Sequence, residues 1–342
     1  MKLYINGRFL TQHLTGVQIF AQEICKELDG KIDFEIVVPK NQPILNNSLN
    51  HKIKKIGFLK GYFWEQISLP NYIKKQPDCI LLNLCNLAPI NLSNQVVTIH
   101  DLAFIKNKKW FSFTFQKVYN FIIPKIIKNS ISIITVSETI KNELITAFEI
   151  NPKKITVVFN KINQELINAK PKSPKIDFES KQYFLMVGSN NPRKNFAFVE
   201  KIFTNELGKE KLIIVGADHA SFNASNNLTS SNNIIRLKNV TMEELSWLYQ
   251  NTKTLINPSF YEGFGIPNIE AMYFKTPIVC SKISVFEEVC GNYANYFELE
   301  NSSDFIEKVK NIDLNKDFNN SNRYEFYQSQ NRVEQLKQIL NL

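Results

Sequence analysis

Residues 257–272, NPSFYEGFGIPNIEAM, place two glutamates, Glu262 and Glu270, around a loop that contains Gly263 and Gly265. The apolar run TLINP ends in this stretch and the helical pattern PNIEAMYF begins there, which predicts a strand, a loop and a helix in succession. Free N–H groups at a helix start attract anions, and glycines let the backbone approach a ligand closely. The stretch therefore predicts an anion site flanked by two carboxylates.

Carboxylates repel phosphates, so neither glutamate is expected to touch a bound diphosphate. Both are suited to accept hydrogen bonds from hydroxyl groups beside it, and a nucleotide sugar carries hydroxyls on both sides of its diphosphate. Alternatively, the stretch is a glycine-rich turn in which Glu270 interacts with the helix dipole. The stretch by itself leaves both interpretations open.

Apolar, β-branched runs recur along all 342 residues with helical stretches between them. Runs of this kind are typical of parallel strands buried on both faces, so the alternation predicts a doubly wound α/β fold. The chain is longer than one typical domain of about 100–200 residues, which favours two domains. The predicted strands are 2–6, 34–39, 78–83, 95–100, 132–137, 155–160, 183–188, 211–216, 233–237, 254–258 and 277–281.

A polar stretch with two prolines, 161–181, interrupts the alternation and is interpreted as a linker. We therefore predict two Rossmann-like domains that face each other across a cleft, in which strand-end loops bind ligands. The predicted boundaries are 1–165 for the N-terminal domain, 166–180 for the linker, 181–320 for the C-terminal domain, and 321–342 for a C-terminal helix that can cross back to the N-terminal domain.

Three further loops follow predicted strands. Arg193 and Lys194 follow the strand 183–188, and such cations can stabilise a departing diphosphate; the alternative is a solvated pair on a turn. His100 is the last residue of the predicted strand 95–100. There it could contact a sugar hydroxyl or act as an acid or base; the alternative is a buried histidine satisfied by its neighbours. Gly16 precedes the first predicted helix. A single glycine is a weak indication that the backbone there approaches a ligand closely.

Composition narrows the function classes. A net charge of +9 suits an acidic partner, but no nucleic-acid-binding motif accompanies it. The five cysteines form no CxxC pair, which argues against a disulfide framework or a zinc site and favours a reducing compartment. The N-terminus lacks a signal-peptide core, and charges interrupt the apolar stretch 120–136 too often for it to span a bilayer. We predict a cytoplasmic protein.

Taken together, these motifs resemble the retaining nucleotide-sugar glycosyltransferases of family 4, which have the two-domain GT-B fold. Glu262 and Glu270 match the E-x7-E signature of that family. The resemblance covers nearly the whole chain in the expected order. The other matching segments are GRFL…TGV near the N-terminus, HDLAF (100–104), ITVSETIKNEL (134–144), VGSNNPRKN (187–195) and AMYFKTPIVCSKISVFEEVCG (271–291).

The resemblance implies a role for each matched position. Glu262 would bind hydroxyls of the donor sugar and Glu270 those of the ribose, while Arg193 and Lys194 would hold the diphosphate. His100 would contact the sugar near its anomeric carbon. The base would lie against the main chain of 237–241. The implied catalytic residues are His100, Arg193, Lys194 and Glu262; the implied donor-binding residues are Gly16, Val240, Glu262, Gly263, Phe264, Gly265 and Glu270. No cofactor or metal is expected.

The resemblance further implies retaining transfer of a hexose to a glycan or lipid-linked acceptor in cell-surface polysaccharide or lipopolysaccharide synthesis. Mannosyltransferase-like members are the most similar, so GDP-mannose is our first choice of donor. The alternatives are a nucleotide-sugar epimerase of the same fold and a non-catalytic nucleotide-sugar-binding protein. We do not expect nucleic acid as a partner.

Two segments, 51–75 and 106–128, alternate basic and aromatic residues. Such segments can rest on an anionic membrane surface, which would hold the protein at the inner face of the cell membrane. The alternative is that the aromatic rings face the core while the lysines extend outward.

Overall fold

The computed structural model describes residues 1–45, 49, 52–175, 180–216, 232–312 and 323–342. The chain forms two compact units. The first contains Met1–Ile105, Thr114–Asn160 and Gln330–Leu342, and the second contains Lys106–Phe113 and Lys161–Ser329.

The first unit is built on a parallel sheet of seven strands in the order β3-β2-β1-β4-β5-β6-β7. The residues of its inner strands are almost all buried, as their continuous apolar runs predict. The strands are β1 (Lys2–Asn6), β2 (Phe34–Pro39), β3 (Ile53–Ile56), β4 (Cys79–Asn83), β5 (Gln95–Thr98), β6 (Ser132–Thr135) and β7 (Ile155–Val157).

Helices connect these strands. Ser137 caps the last long connecting helix, since its side chain accepts a hydrogen bond from the Ile140 N–H. The helices are α1 (Gly16–Leu28), α2 (Gly61–Phe63), which continues through a π-helical turn (Trp64–Ser68) into α3 (Leu69–Ile73), α4 (Ala103–Lys106), α5 (Phe113–Asn129) and α6 (Glu138–Phe148), with 3₁₀ turns at Gly7–Thr11, Lys108–Trp110 and Pro152–Lys154.

The second unit has a parallel sheet of six strands in the order β10-β9-β8-β11-β12-β13. Its core contains Phe184, Val199, Phe203 and Ile214. The strands are β8 (Tyr183–Val187), β9 (Lys211–Val215), β10 (Ile234–Leu237), β11 (Thr254–Asn257), β12 (Ile278–Ser281) and β13 (Asn295–Phe297).

Local signals position the helices of this unit. Thr241 and Glu244 form a capping box ahead of one of them. The helices are α7 (Gln164–Asn168), α8 (Phe196–Asn205), α9 (Met242–Asn251), α10 (Ile266–Tyr273), α11 (Ser284–Cys290), α12 (Ser302–Lys310) and α13 (Arg323–Gln328), with 3₁₀ turns at Pro192–Lys194 and Gly291–Tyr293.

The last helix, α14 (Arg332–Leu340), belongs to the first unit. There the buried Arg332 donates two hydrogen bonds to the Glu27 carboxylate of α1, at 2.9 and 2.7 Å. A bidentate pair of this kind fixes both distance and orientation. Arg332 thereby ties the end of the chain to the first helix of the sheet.

The predicted doubly wound fold is confirmed, because both sheets are parallel and both run outward in opposite directions from a central pair of strands. All eleven predicted strands are present, although several end up to three residues early where the chain turns into a loop. The prediction missed two strands. β3 is a short edge strand that exposes Lys54 and Lys55, and β13 has three residues, so neither has the long apolar run of a buried strand.

The five cysteines are free thiols, and four of them are buried. The stretch 120–136 is divided between the end of α5, with Pro124 inside it, and the strand β6. Within the described residues, no helix combines the length and apolar character needed to cross a membrane.

Candidate active site

The candidate site lies where the strand order of the second sheet reverses. β8 and β11 are neighbours, and the chain leaves them toward opposite edges of the sheet. In sheets of this kind, ligands bind beyond the carboxyl ends of the two strands. The loop after β8 contains Arg193 and Lys194, and the loop after β11 contains Glu262. Two motifs that are 68 or more residues apart in the sequence are therefore brought together by the topology.

The Glu262 carboxylate contacts both cations. Its Oε2 accepts a hydrogen bond from Arg193 Nη1 at 2.9 Å, and its Oε1 forms an ion pair with Lys194 Nζ. Ser259 Oγ also donates to Oε1, at 2.9 Å. The Glu262 carboxylate is buried, and both of its oxygens have partners. The structure thus assigns Glu262 contacts that the sequence did not predict, because we expected it to bind sugar hydroxyls.

Electrostatics keep this cluster ionised. Burial by itself raises the pKa of Glu262, but the charges of Arg193 and Lys194, with hydrogen bonds from Lys194 and Ser259, outweigh burial and lower the pKa to about 2. Two cations and one carboxylate leave the cluster with one net positive charge. A buried site with excess positive charge is suited to an anion.

Two hydrogen bonds to backbone carbonyls join the two loops. Arg193 Nη1 donates to the Tyr261 carbonyl at 3.0 Å, and the Phe260 N–H donates to the Arg193 carbonyl at 2.8 Å. The Trp110 ring stacks on Phe260 with centroids 6.4 Å apart. Arg193 is therefore both a charge in the cluster and a structural link between the loops.

Two glycines at strand ends allow the close approach of these loops. Gly188 follows β8 with φ +150°, and Gly216 follows β9 with φ +152°. A Cβ on Gly216 would lie 1.9 Å from the Gly188 carbonyl oxygen, and a Cβ on Gly188 would lie 3.3 Å from Lys194 Cε. The Gly188 carbonyl therefore leaves no room for a side chain at Gly216, whereas a Cβ at Gly188 would require only a small shift of the Lys194 side chain in addition to the strain of its positive φ.

Gly265 makes the turn into α10. Its φ of +96° is strained for other residues, and a Cβ there would lie 2.7 Å from Cε1 of the buried Phe286 ring. The helix begins at the next residue and carries a proline in its first turn, as the sequence predicted.

Replacing Gly265 with alanine is expected to lower the free energy of unfolding by about 2 kcal/mol, because backbone strain and the Phe286 contact add. Chemical denaturation measures this change. Gly30→Ala is the matched control: Gly30 also has a positive φ, +70°, but a Cβ there meets no atom within 4 Å. The control should lose about 1 kcal/mol. Equal losses in the two variants would contradict the assigned contact.

Glu270 lies in α10 and is also buried. Tyr249 Oη donates a hydrogen bond to its Oε2 at 2.7 Å. Burial raises the pKa of Glu270 to about 7, although the Tyr249 hydrogen bond and the charge of Lys194 oppose that rise. Near neutral pH this carboxyl group therefore changes charge, whereas Glu262 stays ionised. Glu270 interacts with the buried Tyr249 rather than only with the helix dipole.

This pKa predicts a pH dependence of ligand binding. Glu270 loses its proton as the pH rises through about 7, and a carboxylate accepts hydroxyl hydrogen bonds better than the acid, so affinity for a ligand whose hydroxyls bond to Glu270, as predicted for a nucleotide ribose, should rise over this range. Isothermal titration calorimetry at several pH values measures it. Tyr249→Phe removes a bond that lowers the pKa, so its midpoint should move to higher pH. Glu270→Gln should abolish the dependence; its persistence there would contradict the assignment.

The same shift has a consequence for stability. The pKa of Glu270 in the folded protein lies above the ordinary glutamate value of 4.5, so the folded state holds the proton more tightly than the unfolded state. Its contribution to stability therefore declines as the pH rises from 4.5 to about 7, and is constant above that range.

Asparagine and serine side chains at the two ends of the loop after β11 are joined by hydrogen bonds. Asn257 Nδ2 donates to Asn268 Oδ1 at 2.9 Å, and Ser259 Oγ donates to Asn257 Oδ1 at 2.9 Å. Asn268 Nδ2 is buried and has no hydrogen-bond partner among the residues that the structure describes. Buried donors usually have partners, so this N–H group is available to a ligand at the start of α10.

His100 belongs to the first unit, just beyond β5. Its Nε2 lies 2.9 Å from the Leu84 carbonyl, which can only accept, so the proton resides on Nε2. The ring packs edge-on against Phe20. Burial lowers the pKa of His100, against the opposing effects of the Leu84 hydrogen bond and the Asp101 charge. His100 is therefore a buried, neutral imidazole.

The remaining predicted positions are distributed over both units. Gly16 is the exposed first residue of α1, in the first unit, and Val240 immediately precedes the capping residue of α9, in the second. Gly263 and Phe264 lie in the loop after β11. The buried Phe264 ring packs edge-on against Tyr327, so the donor-binding role predicted for this residue can concern only its main chain.

Five residues of the site were not predicted from the sequence: Ser259, Tyr249, Asn268, Gly188 and Gly216. A glycine directly after each of two consecutive apolar strands was the signal available for the last two. Tyr249 resembled an ordinary core aromatic. In the described part of the chain, no group of three or more His, Cys, Asp or Glu side chains could hold a metal ion.

Two family models match the chain. The model described as glycosyl transferases group 1 matches residues 168–338, and the model described as glycosyltransferase family 4 matches residues 14–166. The first spans half of the chain and includes the whole Arg193–Glu262–Glu270 region. The predicted resemblance is therefore confirmed over both units.

Relatives and solved structures agree with these models. The chain is 29% identical over 321 residues to the O-antigen chain mannosyltransferase RfbU of Salmonella typhimurium, covering 90% of this chain and 86% of the relative. It is 26% identical over 271 residues to the O-antigen chain mannosyltransferase B of Escherichia coli, covering 74% of this chain and 67% of the relative.

Two solved structures share the fold. Sucrose-phosphate synthase from Thermosynechococcus elongatus superposes with a TM-score of 0.75 at 14% identity, covering 99% of this chain and 98% of that one. WaaG, a glycosyltransferase involved in lipopolysaccharide biosynthesis, superposes with a TM-score of 0.72 at 12% identity, covering 100% of this chain and 99% of that one. The chain belongs to the glycosyl transferases of group 1 and is a glycosyltransferase of the GT-B fold.

Proposed function

We propose that the protein transfers mannose from GDP-mannose, with retention of configuration, to a glycan or lipid-linked acceptor in O-antigen or lipopolysaccharide synthesis. The observation that carries this proposal is the Arg193–Lys194–Glu262 cluster at the strand reversal of the second sheet. The names of the two O-antigen mannosyltransferases support the choice of sugar and of pathway.

In the proposed reaction, the diphosphate of the donor lies against Arg193, Lys194 and the start of α10. Negative charge grows on that diphosphate as the glycosidic bond breaks, and cations held in a buried site stabilise it without reorganising. Glu262 fixes both cations where the charge develops, and one of its oxygens is then shared with a donor-sugar hydroxyl. Glu270, oriented by Tyr249, accepts hydrogen bonds from the ribose.

We propose front-face transfer, in which the acceptor oxygen attacks the sugar carbon on the face that the diphosphate leaves. The bond between that carbon and the diphosphate breaks, and the proton of the acceptor hydroxyl passes to the departing diphosphate oxygen. A covalent route needs a free carboxylate nucleophile, but both oxygens of Glu262 have cationic or hydroxyl partners. His100 serves as a neutral hydrogen-bonding group, since its lowered pKa leaves Nδ1 unprotonated and able to accept from a hydroxyl. The proposal assigns no metal to the reaction, and activity should survive a chelator.

Incubation of the purified enzyme with GDP-mannose and candidate acceptors tests the proposal. If the configuration is retained, NMR will show the same anomeric configuration in the product as in the donor. An inverted product would overturn the proposed retaining mechanism. A panel of other nucleotide sugars in the same assay tests the choice of mannose. Conversion of the donor sugar without any acceptor would favour the alternative epimerase, and binding without turnover would favour the non-catalytic alternative.

We place the enzyme in the cytoplasm, at the inner face of the cell membrane, where a nucleotide sugar and a lipid-linked acceptor are both accessible. Nucleic acid has no part in the proposal. Fractionation of cells into soluble and membrane pools, with and without a high-salt wash, tests this location.

A further inference from the structure

A cluster of large apolar side chains is exposed on the first unit, where the chain leaves β3 and enters α2. The exposed fraction is 75% for Phe58, 71% for Phe63 and 47% for Ile67, and Leu59 and Tyr62 are also exposed. We refer to residues 58–67 as the Phe58–Ile67 surface. Single exposed apolar residues are ordinary, but a group of this size marks an interaction site.

The packing of the helical segment explains why these side chains face outward. Trp64, Leu69 and Ile73 enter the core beneath the sheet, and Trp64 Nε1 donates to the Ile56 carbonyl at 3.0 Å. The side of the segment that carries Phe63 and Ile67 is therefore turned away from the core. The alternative prediction was that the aromatic rings of this segment face the core. It is wrong for Phe58 and Phe63 and confirmed for Trp64.

The surroundings of this surface are strongly cationic. Residues 40–75 contain seven lysines, all exposed, and a single acidic residue, Glu65. Glu65 is buried in an ion pair with Arg8 at 2.7 Å and so adds no negative charge to the surface. The lysines are Lys40, Lys52, Lys54, Lys55, Lys60, Lys74 and Lys75.

The lysines are positioned around the aromatic side chains. Lys54 and Lys55 lie on the edge strand β3, directly before the loop, and Lys60 lies between Phe58 and Phe63. Lys40 Nζ is 5.3 Å from the centre of the Phe58 ring. Lysines on an edge strand also discourage strand pairing, but that role does not account for exposed phenylalanines.

We propose that the Phe58–Ile67 surface docks the enzyme on an anionic lipid bilayer. Phenylalanine and aliphatic side chains enter the boundary between headgroups and acyl chains, while lysines beside them pair with lipid phosphates. A second copy of the chain is disfavoured as the occupant, because two such cationic surfaces repel one another. The inference does not depend on the proposed sugar transfer, since lipid binding is measured without a reaction.

Co-sedimentation of the full-length protein with vesicles tests this surface. The vesicles contain phosphatidylcholine alone or phosphatidylcholine with phosphatidylglycerol, at low and at high salt. We expect binding to the anionic vesicles at low salt, and weaker binding as salt screens the lysines. The double variant Phe58→Ser/Phe63→Ser and the double variant Lys54→Glu/Lys55→Glu should each reduce the partition coefficient about tenfold or more.

A matched control is available on α13 of the second unit, where Phe326 is exposed and lies outside both segments of alternating basic and aromatic residues. Phe326→Ser should leave vesicle binding unchanged. All substituted side chains are exposed, and unchanged thermal unfolding would show that the variants remain folded. The proposal is overturned if the wild-type protein does not bind anionic vesicles at low salt, if both double variants bind like wild type, or if Phe326→Ser abolishes binding. It is also overturned if Phe58→Ser/Phe63→Ser instead dissociates a dimer detected by light scattering.

Discussion

Replacement of Glu262 by glutamine is expected to lower the rate of mannose transfer about a hundredfold. Glutamine keeps the size of the side chain but removes the charge that holds Arg193 and Lys194 in place. The two cations then repel each other and move away from the position of the leaving diphosphate. Displacements of about 1 Å in an active site are enough for losses of this order. Initial rates at saturating GDP-mannose measure the effect.

The same variant is expected to lose about 3 kcal/mol of stability, because two largely buried cations lose their counter-charge. The pKa of Glu262 is lowered from 4.5 to about 2, so its stabilising effect is complete above pH 4.5 and disappears as the pH falls toward 2. The difference in unfolding free energy between wild type and Glu262→Gln should therefore shrink in acid.

Glu206→Gln is the matched control for both measurements, since Glu206 is an exposed residue of the same unit. It should change neither the rate nor the stability appreciably. Wild-type activity in a correctly folded Glu262→Gln protein would contradict the role of Glu262 in holding the cations.

Replacement of Lys194 by alanine is expected to lower kcat about a hundredfold. Loss of one donor that stabilises developing charge in a buried site has effects of this size. Lys194 is a cleaner probe than Arg193, because Arg193 also holds the Tyr261 carbonyl and its main chain bonds to Phe260. The Lys194→Ala protein retains the Arg193–Glu262 pair, so it should be less destabilised than Glu262→Gln.

Single-turnover kinetics separate the chemical step from binding in this variant. A role in the transition state requires that kcat fall more than the affinity for GDP-mannose; an equal loss of affinity with unchanged kcat would contradict it. Lys201→Ala is the matched control. Lys201 is an exposed lysine on α8, the helix that follows Lys194, and its replacement should leave kcat unchanged.

Local patterns made the fold predictable. The apolar runs of strands such as β1 and β8 are visible in any short window, because side chains buried on both faces of a parallel sheet must all be apolar. Caps at Ser137 and Thr241 were predictable for the same reason, since each depends on residues within one helical turn. The exposed edge strand β3 has no such pattern and was missed.

The site was only partly predictable. The cations and glutamates could be singled out because they follow strand ends and match a spacing. The contacts between them could not, because Arg193 and Glu262 are 69 residues apart and meet only through the strand reversal between β8 and β11. Tyr249 could not be recognised at all, because only the packing of α9 beside α10 shows that its hydroxyl reaches Glu270.

The sequence by itself determined two doubly wound α/β domains, the family, and the positions of the charged motifs on strand-end loops. Periodicity and motif spacing depend on residues that are close together in the sequence, so they can be recognised without a structure. Only the tertiary structure decided that Glu262 is ion-paired with both cations, that Arg332 binds Glu27 from 305 positions away, and that Phe58 and Phe63 are exposed. These depend on which surfaces the crossovers bring together or leave uncovered, and no short stretch of sequence contains that information.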